Sequence, residues 1–152
     1  LYDNATTMHK PSEILIDVIG LGAGVVDRLS EQDLPVRGIN VAESPSSRKN
    51  YLNLRAELWW AMRDWLTARD CRLPEDDELI AELASPQYTY TSTGKIKIEA
   101  KEMMRKRGIK SPDKADALSL TMASSAASFG GKFSAMGYNF KAPLKSKIIR
   151  VG

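Results

Sequence analysis

Ser111-Pro-Asp-Lys-Ala-Asp-Ala-Leu-Ser-Leu-Thr121 is the stretch on which the reading of this chain turns. Ser111 is of a helix-capping type, Pro112 suits a first helical position, and Asp113 falls in the first turn, where the helix dipole favours a carboxylate. The pattern predicts a helix running to about Ser128. Asp113 and Asp116 stand at i and i+3, so they project from nearly the same side of it. Capping and dipole account for Asp113 without any further role. They do not account for Asp116, which lies deeper, among Ala115, Ala117 and Leu118.

A third carboxylate stands far away in sequence. Ile14-Leu-Ile-Asp-Val-Ile19 is a continuous apolar run broken only by Asp17, which predicts a buried strand. Gly20-Leu-Gly-Ala-Gly24 then supplies a tight turn, Val25 to Gln32 a short helix and Val36 to Val41 a second strand. Strand, helix and strand in this order imply a parallel pair with a right-handed crossover. An ionised Asp17 in such a strand costs several kcal/mol unless it is hydrogen-bonded, paired or bound to a cation. Bonding to the N–H groups of the glycine turn would satisfy it structurally. A cation would satisfy it functionally, because converging carboxylates hold the two divalent ions, about 3.5–4 Å apart, of phosphoryl-transfer enzymes. His9 and Cys71 are the only histidine and cysteine, so a His/Cys zinc site is excluded and oxygen-ligated Mg²⁺ or Mn²⁺ is favoured.

The remaining chain fits a single α/β domain of residues 1–128 followed by a basic, loosely packed tail of residues 129–152. A length of 152 residues supports one core and not two. No apolar run approaches the roughly 20 residues of a membrane span. Leu54, Leu58, Met62, Trp65 and Leu66 recur at helical spacing, predicting an amphipathic helix from about Leu52 to Arg69. Trp59 and Trp60 are adjacent, so one of them must pack on a different element from the other. The acids of Glu75 to Glu78 suit the first turn of another helix. Tyr88-Thr-Tyr-Thr and Lys95-Ile-Lys-Ile-Glu alternate about Gly94 and predict a hairpin. Its Lys95 and Lys97 share one face, suited to a phosphate backbone or simply to a solvated edge strand. Lys101 to Arg107 forms a short basic helix. No acid follows Asp116, whereas Lys132, Lys141, Lys145, Lys147 and Arg150 do, which makes the last third a one-sign field.

Four stretches in register, Ile14 to Leu29, Asn53-Leu-Arg-Ala-Glu-Leu-Trp-Trp60, Lys97-Ile-Glu-Ala-Lys101 and Ser111 to Thr121, resemble the C-terminal nuclease domain of tailed-bacteriophage terminase large subunits. The resemblance implies a ribonuclease H-like fold, a central mixed sheet flanked by helices with an inserted hairpin. It also implies a metal-dependent endonuclease that cuts concatemeric double-stranded DNA during genome packaging in the host-cell cytoplasm. On that likeness Asp17 and Asp116 match catalytic, metal-binding acids, and Asp113 an accessory ligand of a two-metal Mg²⁺ or Mn²⁺ site. Lys95, Lys97 and Arg55 are candidate DNA contacts. The first strand and first acid of such domains are expected upstream of residue 1, since Asp3 lacks an apolar strand around it. The ATPase motor of the same polypeptide is absent, with no Gly-x-x-x-x-Gly-Lys-Ser/Thr loop. Portal and small terminase subunit are the implied partners, with no membrane.

Three other readings compete. Gly20-x-Gly22-x-Gly24 after a strand imitates a dinucleotide-binding loop, but Val25 stands where the third small residue belongs and Asp17 would repel a pyrophosphate. A non-catalytic DNA-binding or assembly module would use the basic hairpin and tail alone. Holliday-junction resolvases share the Asp-x-x-Asp-Ala-Leu pattern, though the tryptophan-rich helix and the inserted hairpin favour a terminase.

Overall fold

The computed structural model describes residues 11–69, 71–123 and, as backbone, 132–133 and 138–139. Strand β1 (Ile14–Asp17) leads through helix α1 (Gly22–Ser30) to β2 (Val36–Ile39), and the strands pair in parallel with Asp17 opposite Ile39. The predicted crossover is therefore present, although α1 begins three residues earlier than its apolar pattern suggests. The reason lies in Gly22, which seats the first turn of α1 directly on the end of β1. A Cβ there would stand 1.7 Å from the backbone carbonyl oxygen of Asp17. Gly20, with φ of +74°, makes the turn that allows this approach.

Helix α2 (Leu54–Thr67) is the centre of the core. Asn53 caps it by accepting from the Ala56 N–H at 3.0 Å. Leu58, Trp59 and Met62 are buried against Ile39, Leu79 and Leu120. Trp60 points elsewhere, as adjacency requires, and meets Tyr88 edge-on with ring centroids 5.0 Å apart. Helix α3 (Asp77–Ala84) is capped by Asp76 and packs on α5 (Asp113–Leu120). The α5 helix gives way to a 3₁₀ turn at Thr121–Ala123; its expected extension to Ser128 and nearly all of the basic tail lie outside the described residues.

Strands β3 (Tyr88–Tyr90) and β4 (Ile96–Ile98) form the predicted hairpin. It is fastened to the chain before α2 by bonds from the Ile96 N–H to the Asn50 carbonyl and from the Leu52 N–H to the Ile96 carbonyl. Helix α4 (Lys101–Lys106) follows, and a two-residue pair, β5 (Lys132–Phe133) with β6 (Tyr138–Asn139), completes the described strands. The fold is mixed α/β as expected; among the described residues its strands lie in two-stranded sheets and not in one broad sheet. Among the described residues no helix is long and apolar enough to cross a membrane.

Ion pairs close the joints. Lys114 of α5 bonds Asp76 at 2.7 Å and Glu78 at 2.7 Å, tying it to the start of α3. Arg107 bonds Glu99 at 2.6 Å and the Ser85 carbonyl at 3.0 Å, tying the hairpin base to the end of α3. The guanidinium of Arg107 holds Glu99 below the usual carboxylate range, and the Lys114 ammonium with the Leu79 N–H does the same for Asp76. Carboxylates whose folded pKa is lowered stabilise above the unfolded value, near 4, and lose that contribution as pH falls through the folded value. The urea midpoint is therefore expected to fall from about pH 4 downward, and Glu99→Gln to flatten that slope while lowering the midpoint at pH 7.

The two glycines of α1 give opposite expectations. Gly22→Ala should cost about 2 kcal/mol, because the backbone must move away from Asp17. Gly24 has nothing within 4 Å of its added Cβ, so Gly24→Ala should stabilise by about 0.5–1 kcal/mol through helix propensity. Urea unfolding of the two variants measures both.

Candidate metal and phosphate site

The end of β1, the start of α2, strand β4 and helices α4 and α5 surround a cavity of about 560 Å³ lined by Asp17, Asp113 and Asp116. The three acids singled out in the sequence therefore share one groove. Their surroundings differ. Asp113 is 79% exposed and its Oδ1 accepts from the Ser111 hydroxyl at 2.6 Å. Ser111 thus does not cap α5: Pro112 holds that position, and the free Ala115 N–H is met by Glu82 Oε2, reaching across from α3 at 2.9 Å. Asp17 is half-buried, and its Oδ1 accepts from the Ile19 N–H at 3.0 Å, so the glycine-turn backbone does satisfy part of it.

Asp116 is the most enclosed of the three, with its side chain 20% exposed. Its Oδ1 accepts from the indole N–H of Trp59 at 2.8 Å and from Arg55 Nη2 at 3.2 Å. Both donors come from α2, where positions i and i+4 share a face. Its Oδ2 lies 2.9 Å from the ammonium of Lys101, which also stands 3.8 Å from Asp113 Oδ1. That approach lacks hydrogen-bond alignment, so Oδ2 is buried without a hydrogen-bond partner among the described residues. A buried carboxylate oxygen without a hydrogen bond, on a residue that lines a cavity with two more acids, is a hard-oxygen donor suited to a divalent cation. The ligand set is not closed. Among the described residues no three His, Cys, Asp or Glu side chains stand close enough together to hold a metal. Lys101 stands between two of the acids, and the third is turned toward its own backbone.

The basic candidates separate as well. Lys97 is exposed and lines the groove, on the face of β4 opposite Ile96 and Ile98. Lys95 is half-buried at the hairpin turn and is not among the lining residues. Arg55 is 15% exposed and is engaged with Asp116 and, at 2.8 Å, with the Glu99 carbonyl. Its guanidinium is thereby occupied as an internal brace. Sequence reasoning missed two groups here: Trp59, which it considered for packing and not as a partner of Asp116, and Lys101, which it took only as part of a basic helix. The i,i+4 spacing of Arg55 and Trp59 was the available signal for the first.

Comparison with solved structures sets this geometry in context. The nuclease domain of the large terminase subunit gp2 of bacterial virus Sf6 superposes with a TM-score of 0.59 at 25% identity, over 75% of this chain and 66% of that one. A point mutant of that domain, with manganese and beta-thujaplicinol, superposes at 0.63 with 26% identity over the same shares. This chain has the fold of a terminase large-subunit nuclease domain. The same mutant with manganese alone gives 0.58 at 24% identity, over 72% of this chain and 65% of that chain. The chain spans about two thirds of the length of these terminase nuclease domains. No protein-family model and no curated protein matches its sequence.

The brace role of Arg55 yields a prediction. Arg55→Met should destabilise the chain by about 2 kcal/mol, since it strips a donor from a half-buried carboxylate and leaves the Glu99 carbonyl unpaired. Lys97→Met, at an exposed position, should change stability by no more than about 0.5 kcal/mol. Chemical denaturation at pH 7 distinguishes the two; equal small effects would return Arg55 to the role of a surface phosphate contact.

Proposed function

We propose that this chain is part of the endonuclease of a viral DNA-packaging terminase, cutting concatemeric double-stranded DNA by metal-dependent phosphodiester hydrolysis in the host-cell cytoplasm. The observation that carries this reading is the groove lined by Asp17, Asp113 and Asp116, the last with a buried carboxylate oxygen that has no hydrogen bond. The likeness to terminase nuclease domains, two of them with manganese, supports it.

On this reading these acids would hold Mg²⁺ or Mn²⁺, which would supply a lowered pKa for an attacking water and neutralisation of charge building on the phosphate. Asp116 offers Oδ2 as its free donor, Asp17 contributes from the strand end, and Asp113 contributes from the first turn of α5. The ammonium of Lys101 holds the place between Asp113 and Asp116 that a doubly charged ion would take over. It is 42% exposed, so its long stem can swing to solvent or to a substrate phosphate at little cost. Lys97 on the groove wall serves as a phosphate contact that gives affinity without sequence preference. Lys95 is a second, more distant one. The ATPase domain of the same polypeptide, the portal and the small terminase subunit are the partners proposed with this role. A DNA-binding or assembly module without catalysis is the alternative, and it uses the same lysines without the acids.

Nicking of supercoiled plasmid by a protein extended upstream to the expected first strand and first acid tests the proposal. Mn²⁺ should support it, EDTA should abolish it, and Asp116→Asn should reduce it by roughly a thousandfold or more, as loss of a metal ligand and its electrostatic stabilisation requires. Lys97→Ala should weaken DNA binding across sequences and lower the salt slope by about 1. DNA binding that is salt-dependent but indifferent to Mn²⁺ and to Asp116→Asn would favour the binding module.

A further inference from the structure

The two oxygens of Asp116 are treated unequally. Oδ1 is saturated by two hydrogen bonds from one helix face, whereas Oδ2 has no hydrogen bond and only the Lys101 ammonium at 2.9 Å. A carboxylate turns readily about its last side-chain torsion, which is broad and two-fold, so something must hold this asymmetry. Arg55 is a poor candidate for doing so alone. Its contact to Oδ1 is the longer one, its guanidinium is shared with the Glu99 carbonyl, and its positive charge opposes any cation approaching the same carboxylate. The indole of Trp59 has none of these drawbacks. It is a neutral, single-donor group, 7% exposed and packed in the core on α2, and its N–H reaches Oδ1 at 2.8 Å. A neutral donor on a packed ring fixes direction without adding repulsion.

We infer that Trp59 is a positioning residue of the site, holding the Asp116 carboxylate by Oδ1 so that Oδ2 faces the groove as the cation donor. The inference rests on the metal-dependent reading above. It gives Trp59 a duty its neighbour lacks, for Trp60 packs on Tyr88 and lies under the guanidinium of Arg63 at 4.5 Å. Outer-shell partners that orient a ligand raise metal affinity when intact and lower it when lost.

Calorimetric titration of the chain with Mn²⁺ tests this. Trp59→Phe, which keeps a ring and removes the N–H, should weaken Mn²⁺ binding roughly tenfold or more, whereas Trp60→Phe should leave it within about twofold. A second measurement keeps Trp59 in place: in a Trp60→Phe/Trp65→Phe protein, Trp59 is the sole tryptophan and can be excited selectively over tyrosine, and paramagnetic Mn²⁺ bound at Asp116 should quench it. Adding Asp116→Asn to that protein should remove the quenching. Should Trp59→Phe fail to fold by circular dichroism, the emission experiment decides alone, and unquenched Trp59 overturns the inference. If the parent chain binds Mn²⁺ and Trp59→Phe binds it equally well, the positioning role falls while the nuclease reading survives. If the parent takes up no Mn²⁺ at all, that reading falls and takes the inference with it.

Discussion

A carboxylate four-fifths withdrawn from solvent, Asp116, is the point at which three helices meet. Helix α2 supplies an indole N–H and a guanidinium, α4 supplies an ammonium, and α5 carries the acid itself. Removing an ionised group from water costs several kcal/mol, and these donors offset that cost only while all three helices hold their places. The dependence also runs the other way. Arg55 is fixed in turn by the Glu99 carbonyl, and Glu99 by Arg107 and the Gln87 N–H, so the hairpin base is coupled to the floor of the groove. The electrostatics of the site and the packing of the domain are one network.

That network explains why the acids arrive from rigid elements. Asp17 ends a strand whose last carbonyl is pressed against the first turn of α1, with room for no side chain at Gly22. Asp113 and Asp116 open a helix whose first turn is clamped by α3, through Glu82 on the Ala115 N–H and through Asp76 and Glu78 on Lys114. The acid-rich start of α3 therefore does more than complement its own dipole. The hairpin is used on both faces as well. Tyr88 sends its ring to Trp60 of α2, while Lys97, on the opposite face of the paired strand, borders the groove.

What could be read from the sequence was what local pattern controls. The apolar run around Asp17, the glycine turn, the alternating hairpin and the i,i+3 acids each place a residue by period alone, and each element is present. What escaped was set by contacts distant in the chain. Ser111 has the chemistry of a cap, yet α5 is capped one residue later at Pro112, and its Ala115 N–H is met by Glu82, thirty-three positions from Ala115 in the chain. Lys101 reads as one of several basic residues on a short helix until folding brings it beside Asp116. Trp59 reads as core, and it is core; only the packing of α2 against α5 reveals that its one polar atom has a partner. Arg55, expected as a phosphate contact, lines the groove but also bonds Asp116 and the Glu99 carbonyl, neither of which its local sequence shows.

The remaining question is why Lys101 should yield its place. An ammonium has three donors and a tetrahedral spread, and beside a carboxylate oxygen it gains most when one N–H points along a lone pair. At Oδ2 it reaches ion-pair distance without that alignment, and its separation from Asp113 is longer still. It therefore neutralises charge without completing a hydrogen-bonded pair. Arg55, by contrast, is aligned, nearly buried and doubly engaged. Both cations at Asp116 line the groove, and the poorly bonded one is also the more exposed. An entering divalent ion would meet the weaker of the two, gaining an oxygen that has no hydrogen bond to lose.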